Sequence, residues 1–334
     1  MWTLSSSPPQ VIQARVLTRL PQEFRSRQRT AWADANKPGQ EVDSFLEGPT
    51  FDREGNLYVV DIPNGRIFRI SQRLEWTLAA QYDGWPNGLA MHRDGTLWIA
   101  DYRRGLLRLD IGHPGAESRH PGAESRRPGA ESRHPGEGRD PISPTPVLTH
   151  RNSESFKGLN DLTFDSAGNC YFTDQGQTGL HDPSGRVYRL RPGGELDCVL
   201  ANVPSPNGVA LDLSQKVLFV AVTRANAVWR GPLLRDGTVS KVGAFRTFFG
   251  TSGPDGMAVD RDNRLVVAHA SLGGAFVIDA RGEVTHFVKS GEGAAVTNVA
   301  YRPGTAQLVM TESETGTILE ADLPAAGAAL FSHA

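Results

Sequence analysis

The chain has 334 residues, a formal charge of −2, 39% hydrophobic residues and 22% charged ones. That is enough apolar side chain for a sizeable core, so wholesale disorder is excluded. The near-neutral charge excludes a simple electrostatic nucleic-acid binder and a polybasic membrane patch.

The first residues, Met-Trp-Thr-Leu-Ser-Ser-Ser-Pro-Pro, hold no basic region followed by an apolar run. No stretch approaches the roughly eighteen apolar residues of a membrane span. The expected location is the cytoplasm, with no membrane partner. Residues 1–40 read as an N-terminal segment ahead of a repeat. Within it, 11–24 (VIQARVLTRLPQEF) is a candidate strand for closing the end of the fold, and 25–40 an irregular crossing segment.

From there a repeat runs through the chain, at 47–70, 86–110, 159–190, 206–230, 254–279 and 297–323. Each unit has a polar residue and a small one, then a short apolar strand. A turn rich in Asp, Asn and Gly follows, then a second and a third strand. Every element is short and bounded by turn chemistry, and amphipathic helical spacing is absent. Between the second and third units, residues 113–140 read HPGAESR, HPGAESR, RPGAESR, HPGEGRD. A Pro in every unit of seven forbids a coiled coil, and no large apolar residue is present to bury. This insertion is expected to be a flexible, disordered surface loop in blade 2 without catalytic role. Its three His recur with the unit and are poor metal ligands.

The units begin at Glu47, Asn87, Asn160, Asn207, Asp255 and Thr297, spaced by 40, 73, 47, 48 and 42 residues. Removing the 28-residue insertion brings 73 into line with the others. Six such units of three or four antiparallel strands predict an all-β fold, a six-bladed β-propeller over 41–330. Two cysteines, Cys170 and Cys198, exclude a disulfide framework and a thiolate zinc site, and read as buried apolar side chains.

In a propeller the first strand of each blade lines the central channel. The six starting residues therefore converge at one mouth. Fourteen residues after the first five of them lie Asp61, Asp101, Asp174, Ala221 and His269, an outer ring in which the three Asp are expected to cap turns. His269 and Glu312 are outside candidates for acid–base work, and Trp85 and Phe156 for pocket walls. The inner ring offers oxygen ligands only. Glu47, Asn207 and Asp255, with Asn160 as a fourth, suit a hard divalent cation. Calcium fits best because it accepts amide oxygens and irregular geometry, with Zn2+, Mn2+ and Mg2+ as other ions. No nucleophile elbow is visible.

The segments EGPTFD, LNDLTFD, SPNGVALD and GPDGMAVD resemble the signature of the SMP-30/gluconolactonase/luciferin-regenerating-enzyme-like family, over about residues 41–323. FTDQGQTGLHDPSGRVYRL further resembles its bacterial lactonases. The resemblance implies a propeller with one catalytic divalent ion, usually calcium, in its channel, and hydrolysis of lactones or related esters. It places the family's metal ligands on Glu47, Asn207 and Asp255, and its substrate-side Asn on Asn160, beside Asp161. Asp255 is then the catalytic residue, and Asn160, Asn87 and Asp161 are substrate-binding. Some sugar-lactone members carry an Arg two residues before that Asn, where this chain has Gly158 next to Lys157. The partner expected is a small-molecule lactone, with no nucleic acid, and the number of copies in the assembly is left open. A non-catalytic binding scaffold and a phosphotriester hydrolase on the same metal site stay open as alternatives.

Overall fold

The computed structural model describes residues 8–112 and 143–333, so the expected loop at 113–140 lies outside the described residues. Six sheets of four or five strands follow one another along the chain. In the first, Leu46–Phe51, Leu57–Asp61, Arg66–Ile70 and Trp76–Gln81 pair antiparallel in sequence order. The five blades that follow begin with Pro86–Met91, Leu159–Phe164, Pro206–Leu211, Pro254–Val259 and Val296–Tyr301. Each of these innermost strands touches the innermost strand of the next blade, and the sixth touches the first. The ring of six blades is therefore closed.

Closure is completed by the N-terminus. Arg15–Arg19 pairs antiparallel with Thr317–Asp322 and supplies the fourth strand of blade six. Gln10–Gln13 adds a fifth strand to blade five, and does so in parallel with Val284–Lys289. Part of the crossing segment is a helix, Ala31–Asn36, capped by the Thr30 side chain accepting from the Ala33 N–H at 3.1 Å. Six residues are too few for a helical period to show in sequence. Trp32 buries its ring against Phe45, 4.8 Å between centroids, and that contact anchors the helix.

The core lies between neighbouring blades. Tyr58, Val60 and Ile67 of blade one pack with Leu89, Leu97, Ile99 and Leu107 of blade two. Cys170 is buried in the apolar cluster of blades two and three, whereas Cys198, expected to be buried, is only partly so on an outer strand; both are free thiols. Burying one Val, Leu or Ile side chain contributes about 1.5–3 kcal/mol. That packing holds the channel-lining strands rigid.

Candidate metal and catalytic site at one channel mouth

In all six blades the pairing of the first two strands is broken at the polar starting residue. The register shifts lie between Glu47 and Thr50, Pro86 and Gly88, Leu159 and Leu162, Pro206 and Val209, Pro254 and Met257, and Val296 and Asn298. A bulge unpairs a residue and re-aims its side chain. Here the break recurs at the polar starting residue of every blade.

Glu47 is 3% exposed, and one of its oxygens is committed. Oε2 accepts from the Gly48 N–H at 2.6 Å and from Asn298 Nδ2 at 2.8 Å. Thr297 also lies within side-chain reach of the carboxylate and favours its charged form. Asp255 is buried, and Asn207 hydrogen bonds to its carboxylate. Burial pushes the Glu47 carboxyl up to about 7, and the negative charge of Asp161 adds to this. Asp255 is pushed well above the usual carboxylate range, first by burial, then by Glu47 and Asp161. The guanidinium of Arg224 opposes this only weakly. The mouth thus gathers buried negative charge, and among the described residues only the field of Arg224 opposes it at Asp255.

Asn160 joins this ring with its Nδ2 donating to Gln175 Oε1 at 2.9 Å. Asn87 is half-buried, and among the described residues no hydrogen bond holds its carboxamide. Thr297 is drawn into the scaffold. It is fully buried, and its hydroxyl donates to the Leu46 carbonyl of blade one at 3.1 Å.

Asp161 lies one residue deeper along its strand, and its oxygens are spent on the backbone. Oδ1 accepts from Leu162 N–H at 2.9 Å, and Oδ2 from Val209 N–H of blade four at 3.3 Å. Burial raises its carboxyl to about 7. The equivalent residue is glycine in four blades and Asn298 in blade six, diametrically opposite. A Cβ at Gly88 would sit 2.6 Å from Asp161 Oδ1, and one at Gly256 would overlap Asn298. The neighbouring glycines thus make room for the two polar residues. Below them the channel widens into a cavity of about 380 Å3, covered at its far mouth by Ala328–Ser332. None of Glu47, Asn160, Asn207 or Asp255 lines that cavity, whose mixed walls include Asp161, Asp212 and Asn298.

The outer ring works differently. Asp61 accepts from Phe45 N–H at 2.8 Å and from Arg66 Nε at 2.9 Å. Asp101 accepts from Tyr82 Oη at 2.9 Å and from the Arg103 and Arg104 N–H groups at 2.8 Å. Asp174 accepts from Gly158 N–H at 2.9 Å. Glu312 accepts from the backbone of Glu314 and Thr315 at 2.8 and 3.0 Å. These are turn caps that fix the segments leading into the inner strands. His269 is fully buried between Phe248 and Phe276, and burial lowers its pKa to about 4. Phe156 is a packing aromatic against Phe172 and Tyr188.

Gly158 explains itself sterically. A Cβ there would lie 2.5 Å from the Tyr102 ring, so no Arg side chain fits. That corner is filled by Tyr102 beside Trp85, 5.6 Å between ring centroids.

The donor set fits a hard cation. Among the described residues no three His, Cys, Asp or Glu side chains gather into a metal group. A cation at this mouth would have to use amide oxygens together with Glu47 and Asp255, as the ring provides. Asn298, Gln175 and Ser205 were not foreseen from the sequence. The signal available was that Asn298 occupies the position after the bulge where four other blades carry glycine.

The model of the SMP-30/gluconolactonase/LRE-like region matches residues 45–314. The chain is 28% identical over 301 residues to lactonase drp35 of Staphylococcus aureus, covering 85% of this chain and 82% of that one. Its fold superposes on a gluconolactonase from Xanthomonas campestris with a TM-score of 0.68 at 19% identity, covering 93% of this chain and 99% of that one. It also superposes on regucalcin, a calcium-binding protein of Agrobacterium tumefaciens, with a TM-score of 0.68 at 16% identity, covering 98% and 100%. No helix among the described residues is long and apolar enough to cross a membrane. With bulged inner strands, a closed ring of six blades and this match over most of its length, the chain belongs to the SMP-30/gluconolactonase/LRE-like family.

Proposed function

We propose that this protein is a divalent-cation-dependent hydrolase that opens a lactone or related ester. The observation that carries the reading is the pair of buried carboxylates, Glu47 and Asp255. They repel one another, make no ion pair among the described residues and stand beside the carboxamides of Asn207 and Asn160. Burying such charge is costly unless an ion offsets it. The names of drp35 and of the Xanthomonas protein supply the reaction class, and regucalcin's description supports calcium over Zn2+, Mn2+ or Mg2+.

Glu47, Asn207, Asp255 and Asn160 would hold the cation through oxygen. When bound, it supplies Lewis-acid polarisation of the lactone carbonyl and charge for the developing oxyanion. Asp255 takes a proton from the attacking water and returns one to the leaving alkoxide. Asn160 and Asn87 orient the lactone's oxygens. Asp161 stays in the scaffold, because its oxygens already accept from Leu162 and Val209. The Trp85–Tyr102 pair replaces the Arg of sugar-lactone members, which favours an apolar or aromatic lactone over a sugar acid.

The test is Asp255→Asn on a panel of lactones and phosphotriesters, with calcium content measured alongside. Loss of lactone turnover while calcium stays bound is expected. Wild-type turnover in that variant, or a preference for phosphotriesters, would overturn the reading.

A further inference from the structure

A carboxamide can serve a cation only through its oxygen. Its nitrogen has nearly the same shape, so packing alone does not choose which atom faces the channel. At Asn160 the choice is made by a neighbour. Gln175 follows the turn-capping Asp174, and its N–H donates to the Gly158 carbonyl at 2.9 Å, which holds it at the mouth. Its Oε1 accepts from Asn160 Nδ2 at 2.9 Å, and its Nε2 donates to Ser205 Oγ at 3.0 Å.

Ser205 is itself tightly held. Its backbone is left-handed, with φ of 62°, a conformation that non-glycine residues seldom adopt without a compensating reason. It is 3% exposed. Its N–H donates to Thr178 Oγ1 at 3.1 Å, and its carbonyl accepts from the Thr223 N–H at 3.1 Å. Thr178 Oγ1 donates in turn to the Gln175 carbonyl at 2.5 Å. The chain Ser205–Gln175–Asn160 therefore joins blades three and four and commits the Asn160 nitrogen.

The other carboxamides of the ring lack this device. Asn87 has no side-chain hydrogen bond among the described residues, and Tyr102 stands fifteen residues on, where Gln175 stands after Asn160. Asn207 lies beside the Asp255 carboxylate and favours its charged form.

We propose that Gln175, fixed by Ser205 and Thr178, is a positioning residue that presents the Asn160 oxygen to the cation. This rests on the metal site proposed above. A neutral chain of these three groups can run in either direction. A cation accepts only the direction in which the Asn160 oxygen faces inward and Gln175 accepts from the nitrogen. Gln175→Glu keeps that direction, because a carboxylate only accepts. Gln175→Leu removes it.

Calorimetric titration of calcium into the chelator-treated full chain tests this, with thermal melts of the metal-free proteins. Wild type should bind, and Glu47→Gln should lose binding. Gln175→Leu should weaken calcium affinity by about 10–100-fold, the size seen when an outer partner of a metal ligand is removed. Gln175→Glu should bind within a few-fold of wild type. A purely structural role would instead lower the melting point of metal-free Gln175→Leu and leave its calcium affinity unchanged. That result, with wild type binding calcium, overturns the positioning role and leaves the site intact. Absence of calcium binding in wild type overturns the site and the positioning role together.

Discussion

Two sets of buried acidic residues belong to the inner and outer rings of the same channel mouth, and they differ in what surrounds their oxygens. In the outer ring, Asp61, Asp101, Asp174 and Glu312 are almost fully buried, and each accepts backbone N–H groups. Arg66 adds a full positive charge at Asp61. In the inner ring, Glu47 has one oxygen committed and Asp255 lies within the field of two further carboxylates. A buried carboxylate whose partners are complete stabilises the fold. One crowded by like-charged neighbours is suited to an ion the chain itself does not provide.

That contrast can be broken by mutation, beginning with the largest expected effect. Glu47→Gln should lower lactone turnover by on the order of 10²–10⁴-fold, the range for losing a central charged group of hydrolytic chemistry. Its metal-free melting point should be unchanged or higher, since buried repulsion is relieved. A lower metal-free melting point would place Glu47 with the structural ring.

Asp61→Ala should do the reverse. It strands Arg66 and the Phe45 N–H, so chemical denaturation should show a loss of about 3–5 kcal/mol. Turnover per folded molecule should stay close to wild type. A large loss of turnover with intact stability would remove the distinction between the rings.

His269, the outer-ring residue of blade five, gives a smaller effect that depends on pH. Its folded pKa of about 4 lies below the ordinary 6.5, so the unfolded chain takes up the proton first. Stability from this group is full above about 6.5 and is lost as pH falls toward 4, by about 2 kcal/mol at pH 5. His269→Gln should flatten that part of the stability–pH curve without shifting the pH profile of turnover. A shifted turnover profile would make His269 an acid–base group after all.

Much of this was readable beforehand. The repeat of a polar residue before an apolar strand gave six blades. A spacing of fourteen residues located Asp61, Asp101, Asp174 and His269 of the outer ring, while Glu312 lies fifteen after Thr297. What stayed hidden runs between blades. Asn298 reaches Glu47 across 251 residues of sequence, and Asp161 reaches Val209 across 48. A pattern read one blade at a time holds no trace of such pairs, so Asp161 looked like a substrate group because of its neighbour Asn160. The parallel strand Gln10–Gln13 and the strap Ala328–Ser332 belong to no repeat, and no spacing announces them.

The central claim is that the inner ring works through a divalent cation. Its most direct test is lactone turnover by the full chain before and after chelation, with metal content measured on the same samples. Turnover should vanish as the metal is removed and return when calcium is added back. Full turnover in protein shown to be metal-free would contradict it.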